Sequence, residues 1–136
     1  MGLRKLLNKV PVPIKQAVKD TLYPDMLPEG SEAPEWQLPD QHGKWHRMKG
    51  PNWFLLVFYP GDDTPGCTLQ LAEFQRNLAT FQELGVSVFG VNPAEADSHQ
   101  AFANKCGYDF PLLVDRGAAV SRQFHSSLPM PYGAKV

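Results

Sequence analysis

The 136-residue sequence holds only two cysteines, Cys67 and Cys106, too few for a disulfide scaffold and not arranged as a C-x-x-C pair. Long hydrophobic runs are missing as well. The longest covers residues 53–59, far too short to cross a bilayer, so no transmembrane span is expected. Neither sign of charge dominates: the net charge is −1, with +4 on residues 1–20 and −5 on the remainder. A near-neutral chain with a mildly acidic body has no electrostatic footprint for nucleic acid. There is no internal repeat, and no Gly-rich loop ends in Lys-Ser/Thr as a phosphate loop requires. His42 and His46 have i, i+4 spacing but lie across a turn, and nothing completes a zinc set. No metal and no cofactor are therefore expected, and His42, His46, His99 and His125 read as surface histidines.

What is present is one domain's length of ordinary globular composition with a distinct beginning. Residues 1–27 read as a basic helical extension: Leu3, Leu6, Leu7 and Val10 share a helical face, Pro11 and Pro13 interrupt it, and Ile14, Ala17, Val18 and Leu22 resume it. This segment contains no continuous apolar h-region of a secretory signal. The body, 28–136, opens with a hairpin over residues 37–48 around Asp40-Gln41-His42-Gly43, where Gly43 suits a positive φ. Residues 54–59 are apolar without alternation, the pattern of a strand covered on both faces. Leu71, Phe74, Leu78 and Phe81 then recur at helical intervals up to Gly85. A strand follows at 86–91, and then a helix capped by Asp97 or Ser98 that runs to Gly107. A short strand at 111–115 and a short helix at 118–124 complete the series. Alternating strand and helix predicts an α/β fold with a central, mostly parallel sheet flanked by helices. Trp36, Trp45 and Trp53 are expected in the core.

Cys67 carries the chemistry. It follows a buried strand and a turn of two prolines, two glycines and two aspartates, and it opens a helix. Unpaired amides of a first helical turn and the helix dipole both favour the thiolate, which is the nucleophilic form. The amides of Gly66 and Cys67 are placed to hold an anionic or peroxidic oxygen, and Gly66 has no side chain to block a ligand. Pro60 and Pro65 would wall the pocket. Thr64, three residues before Cys67, can turn its hydroxyl toward the sulfur. Asp62 and Asp63 read as turn residues accepting backbone N–H groups.

The string Tyr59-Pro60-Gly61-Asp62-Asp63-Thr64-Pro65-Gly66-Cys67-Thr68 resembles the active-site loop of the peroxiredoxins, P-x-x-x-T-x-x-C, in the form found in the peroxiredoxin Q (bacterioferritin comigratory protein) branch. Gly30 to Pro34, Leu38 to Lys44, Ser98-His99 and Phe110 to Asp115 are similar to further blocks of that branch, so the resemblance covers roughly residues 28–125. It implies a thioredoxin-like fold and a thiol-dependent peroxidase acting on hydrogen peroxide and organic hydroperoxides, with thioredoxin or a similar dithiol as reductant. Carried over by position, Cys67 is the peroxidatic cysteine, Thr64 orients the peroxide and Pro60 shields the oxidised sulfur. A monomer or homodimer in the cytoplasm, or in an organelle, is the expected setting.

The sequence departs from that pattern in three respects. The two positions where relatives carry a resolving cysteine are Ala72 and Ala103 here, which leaves Cys106 as a candidate resolving thiol. The family's thiolate-binding arginine would fall at or beyond Val136; Arg116 and Arg122 do not match it, and Arg76 lies nine residues past Cys67 and reads as a solvated charge. Two antiparallel strands and a final helix are expected after the point reached here, so the fold is read as lacking its last strands and helix. The edge of strand 54–59 is then exposed, and the isolated chain is expected to be poorly stable and weakly active. An alternative reading is a catalytically inactive or redox-sensing thioredoxin-like binding module. A thioredoxin-type disulfide oxidoreductase is disfavoured because Cys67-Thr68-Leu69-Gln70 lacks the second cysteine.

Overall fold

The computed structural model describes residues 11, 13–14, 27–48, 50–130 and 133–135; for Cys67, 128–130 and 133–135 it describes the backbone alone. Nearly all of the extension read over 1–27 thus lies outside the described residues.

Strands β1 (Gln37–Pro39) and β2 (Trp45–Arg47) form an antiparallel hairpin. The Asp40 carboxylate closes its turn, accepting the amides of His42 at 2.8 Å and Lys44 at 3.1 Å and facing His46 Nε2 at 2.8 Å. Gly43 sits at φ +80°, in the left-handed region expected of it. A parallel sheet of order β3-β4-β5 follows, built from β3 (Trp53–Phe58), β4 (Val86–Asn92) and β5 (Leu112–Val114). Between β3 and β4 lie helices α1 (Pro65–Arg76) and α2 (Leu78–Glu83); α3 (Ala96–Cys106) joins β4 to β5. A 3₁₀ turn (Arg116–Ala118) and α4 (Ala119–Gln123) lead to a separate antiparallel hairpin, β6 (Leu128–Met130) and β7 (Gly133–Lys135). The residue pattern does not predict that last hairpin.

The missing alternation in β3 has its expected cause. Leu55, Val57 and Tyr59 face one cluster with Leu71, Phe102 and Leu112, beneath α1 to α3. Phe54, Leu56 and Phe58 face another with Trp36, Val91 and Leu113, beneath the hairpin and α4. Both faces of the sheet are therefore apolar. Side chains from β5 and from just after β3 crowd Gly90, where a Cβ would lie 2.6 Å from Cδ2 of its β5 partner Leu112 and 3.2 Å from Tyr59 Cε1. β3 is bonded to β4 on one side, and among the described residues no strand pairs with its other side.

Several expectations need correction. The single period from Leu71 to Phe81 is divided by Asn77, whose Nδ2 and backbone N–H both turn back to the Glu73 carbonyl, at 2.8 and 3.2 Å. The helix before Gly107 starts at Ala96 with Glu95 as its N-cap, not at Asp97 or Ser98, because Ser98 Oγ is engaged elsewhere. Trp36 is buried, but Trp45 and Trp53 are 60% and 74% exposed, on the hairpin and at the start of the sheet's open edge.

Candidate active site

β3 is followed by Tyr59, which is fully buried, and the chain turns through residues 60–64 to begin α1. Thr64 is the N-cap in extended conformation (φ −91°, ψ 145°), Pro65 is the first helical residue, and Cys67 the third. Pro suits that first position because its missing N–H would have had no helical partner. The backbone bonds of the helix begin with Thr68 N–H onto the Thr64 carbonyl at 2.9 Å. The amides of Gly66 and Cys67 thus stand ahead of the helical ladder, at the positive end of the dipole. Gly66 is exposed, and the space a Cβ would occupy there is open. Thr64 makes no side-chain cap, and its Oγ1 has only a long 3.4 Å contact with the Gly61 carbonyl. Pro60, Thr64 and Pro65 are all exposed along this turn.

Cys106 is the last residue of α3, just before Gly107 in the left-handed conformation. Its thiol is free and half-buried, packed against the cluster beneath α1 to α3. Two contacts join its surroundings to the helix of Cys67. Tyr108 Oη donates to the Thr68 carbonyl at 3.0 Å. Gln75 and Asp109 exchange two hydrogen bonds, both 2.8 Å.

The turn itself is held differently from the expectation. Asp62 and Asp63 bind side chains, not backbone amides. Asp62 accepts from Tyr59 Oη at 2.7 Å, Ser98 Oγ at 2.7 Å and Asn92 Nδ2 at 3.2 Å, and faces His99 Nδ1 at 2.7 Å. Asp63, at φ +57°, holds Lys105 Nζ at 2.8 and 2.9 Å. His99 is fully buried, with Nε2 2.9 Å from the Leu113 carbonyl, so it is not a surface histidine. Neither is His46, whose side chain is 15% exposed against Asp40. Burial pushes the Asp62 carboxyl up, but the bonds from His99, Tyr59 and Ser98 and the attraction of His99 outweigh it and hold the carboxyl below its ordinary value. Residues 62, 92 and 98–99 are brought together by the β3-β4 pairing and the crossover through α3. The sequence signal for this is the Ser98-His99 pair, one block of the family resemblance.

Arg76 and Arg116 are exposed and paired with Glu73 and Glu95, each at 2.8 Å. Arg122, also exposed, donates to the Gly117 carbonyl. Ala103 is buried in the core and Ala72 packs beside it, so neither aligned position offers a polar group to Cys67. Among the described residues, no three His, Cys, Asp or Glu side chains converge as metal ligands, and no helix is long and apolar enough to cross a membrane.

A family model described as the AhpC/TSA family matches residues 30–132. The chain belongs to the AhpC/TSA family. Within it the chain falls in the peroxiredoxin Q branch. It is 35% identical over 117 residues to a chloroplastic peroxiredoxin Q of Triticum aestivum, covering 84% of this chain and 54% of the relative. With the Arabidopsis thaliana chloroplastic peroxiredoxin Q it shares 37% over 98 residues, 71% of this chain and 45% of the relative. Among solved structures, the peroxidoxin BcpB of Mycobacterium tuberculosis superposes with a TM-score of 0.70 at 30% identity, covering 78% of this chain and 71% of the other. A bacterioferritin comigratory protein of Xanthomonas campestris gives 0.67 at 31% identity, covering 74% and 66%. These AhpC/TSA likenesses confirm the thioredoxin-like α/β fold. The chain spans about half the length of the curated relatives it matches.

Proposed function

We propose that this chain reduces hydrogen peroxide and organic hydroperoxides through Cys67. The observation that carries the reading is the start of α1: Cys67 is the third helical residue, after Thr64, Pro65 and Gly66, in a chain of the peroxiredoxin Q branch. The Cys67 thiolate attacks one peroxide oxygen. The O–O bond breaks, the sulfur becomes a sulfenic acid, and the other oxygen leaves as water or an alcohol after taking a proton. The amides of Gly66 and Cys67 hold the oxygen that gains charge, the Thr64 hydroxyl orients the peroxide, and Pro60 shields the sulfenic acid. Cys106 then condenses with that sulfenic acid, releasing water and forming a disulfide, which a thioredoxin-like dithiol reduces. Support for Cys106 comes from Tyr108, two residues beyond it, bonded to Thr68, the residue after Cys67. We propose that the protein works as a monomer or homodimer in an organelle or the cytoplasm; the chloroplastic relatives support the organelle.

The test is stopped-flow mixing of the reduced chain with hydrogen peroxide, mass spectrometry of both cysteines, and a Cys67→Ser control. Oxidation at Cys67 well above the rate of free cysteine is expected, followed by a Cys67–Cys106 disulfide. A rate equal to free cysteine's overturns the peroxidase reading. Persistent sulfenic acid with Cys106 unmodified overturns the resolving role alone.

A further inference from the structure

The turn ahead of Cys67 is fastened by a group of buried polar side chains that the reaction described above leaves unused. The two ring nitrogens of His99 each face an acceptor: Nε2 the Leu113 carbonyl at 2.9 Å, Nδ1 the Asp62 Oδ2 at 2.7 Å. A carbonyl only accepts, so Nε2 carries a hydrogen. Nδ1 then either donates to a carboxylate or accepts from a carboxylic acid. The other partners of Asp62 decide between these. Tyr59 Oη and Asn92 Nδ2 donate to Oδ1 at 2.7 and 3.2 Å, and Ser98 Oγ donates to Oδ2 at 2.7 Å. The Asn92 amide is not free to reverse, because its Oδ1 accepts the Ala94 N–H at 2.7 Å. Three donors on one carboxyl group favour its ionised form, in which the fourth contact is a donor as well. The groups facing the pair are the Tyr59 phenol from just after β3, neutral Asn92 from β4, Ser98 from α3 itself and the Leu113 backbone from β5. Among the described residues, Asp62 is the charged group bonded to the His99 ring.

We propose that Asp62 is a positioning residue, and that its buried ion pair with protonated His99 holds the turn 60–66 so that Cys67 meets its peroxide in reactive alignment. The inference rests on the peroxidase reading. Its physical basis is the reach of the pair. Asp62 precedes Cys67 by five residues in a turn whose other residues are largely exposed, while His99 is fully buried and fixed to β5. Asp62 thus fastens the turn to the core, while the neighbouring Asp63 holds it to Lys105 at the surface. In-line displacement on an O–O bond tolerates little misplacement, so loosening the Asp62 carboxylate acts on the rate of the sulfur without touching it.

The experiment compares the full chain with its Asp62→Asn variant, which keeps the size of the side chain and removes its charge. Histidine side-chain ¹⁵N NMR at neutral pH is expected to show both His99 nitrogens protonated in the parent chain and one in Asp62→Asn. Stopped-flow oxidation of Cys67 by hydrogen peroxide is expected to slow at least about tenfold in the variant while its melt stays cooperative. Where Asp62→Asn does not melt cooperatively, His99→Asn replaces it, keeping a neutral donor near the place of Nδ1, and the same slowing is expected. A neutral His99 in the parent chain overturns the ion pair, and a folded variant within twofold of the parent rate overturns the positioning role. Both chains reacting at the rate of free cysteine overturns the peroxidase reading and this inference together. That outcome is distinct from failure of the inference alone, in which both chains are fast.

Discussion

Tyr108 donates its hydroxyl to the backbone carbonyl of Thr68 across 3.0 Å, which ties the residue after Cys67 to a residue two positions past Cys106. The bond crosses from the loop after α3 to the first turn of α1. Under the proposed resolving role of Cys106, it would act as a brake on any unwinding of that turn that brings the two sulfurs to disulfide distance.

Tyr108→Phe removes that brake while keeping the ring packed between Phe102 and Phe110. The stability loss is expected to be about 1 kcal/mol, the usual net value of one hydrogen bond, measured by urea unfolding. Formation of the Cys67–Cys106 disulfide after one equivalent of peroxide is expected to accelerate, followed by quenched-flow mass spectrometry. Slower disulfide formation in the variant would contradict the braking role.

Gly90→Ala tests the crowding around Gly90 in β4. Its new methyl group would lie 2.6 Å from Leu112 Cδ2, and Leu112 is fully buried. Overpacking of this kind costs about 1–3 kcal/mol, so a lowered thermal midpoint is expected, with the secondary structure seen by circular dichroism retained.

Acid is expected to destabilise the chain through two carboxylates. Asp40 and Asp62 are both pushed up by burial, but hydrogen bonds outweigh it and leave them below their ordinary values. His46, His42 and Lys44 supply those bonds at Asp40, and His99, Tyr59 and Ser98 at Asp62. As pH falls through about 4, the unfolded chain takes up protons before the folded one does, so stability rises with pH across that window. The contribution is complete above the unfolded values and is lost as pH drops through the lower folded ones. Thermal midpoints between pH 3 and 6 are expected to fall on acidification, less steeply in Asp40→Asn; an unchanged slope in that variant would remove Asp40 from the account.

Trp53→Lys addresses the unpaired side of β3. Trp53 is 74% exposed at the start of that strand, where an apolar side chain beside open backbone groups invites pairing with another molecule. Light scattering over a concentration series is expected to show less self-association in the lysine variant, with stability changed by no more than about 0.5 kcal/mol, as for most surface substitutions.

How far the sequence foretold the molecule depended on the range of the interaction. The apolar, non-alternating run at 54–58 and the glycine at 107 are local signals, and strand β3 and the left-handed end of α3 appear where they indicate. The break at Asn77 was hidden because Leu71, Phe74, Leu78 and Phe81 keep helical spacing across it; the deciding bonds are those of Asn77 to Glu73. The placement of Thr64, Gly66 and Cys67 at the start of a helix after Pro60 is readable because the turn is contiguous; the roles given to them remain proposals. The Asp62–His99 contact spans 37 positions and exists because α3 crosses back over the sheet. Ser98 shows the conflict directly: its type suits an N-cap, and the carboxylate across the fold takes its hydroxyl instead.

Consecutive aspartates in the turn reach opposite ends of the same helix, Asp62 to Ser98 and His99 and Asp63 to Lys105. Those attachment points lie about 10 Å apart along the axis of α3. One residue inserted or deleted between the two carboxylates would leave one of them out of reach. The segment between β3 and α1 is therefore a surface loop of fixed length, in contrast to most surface loops, which accept changes in length readily.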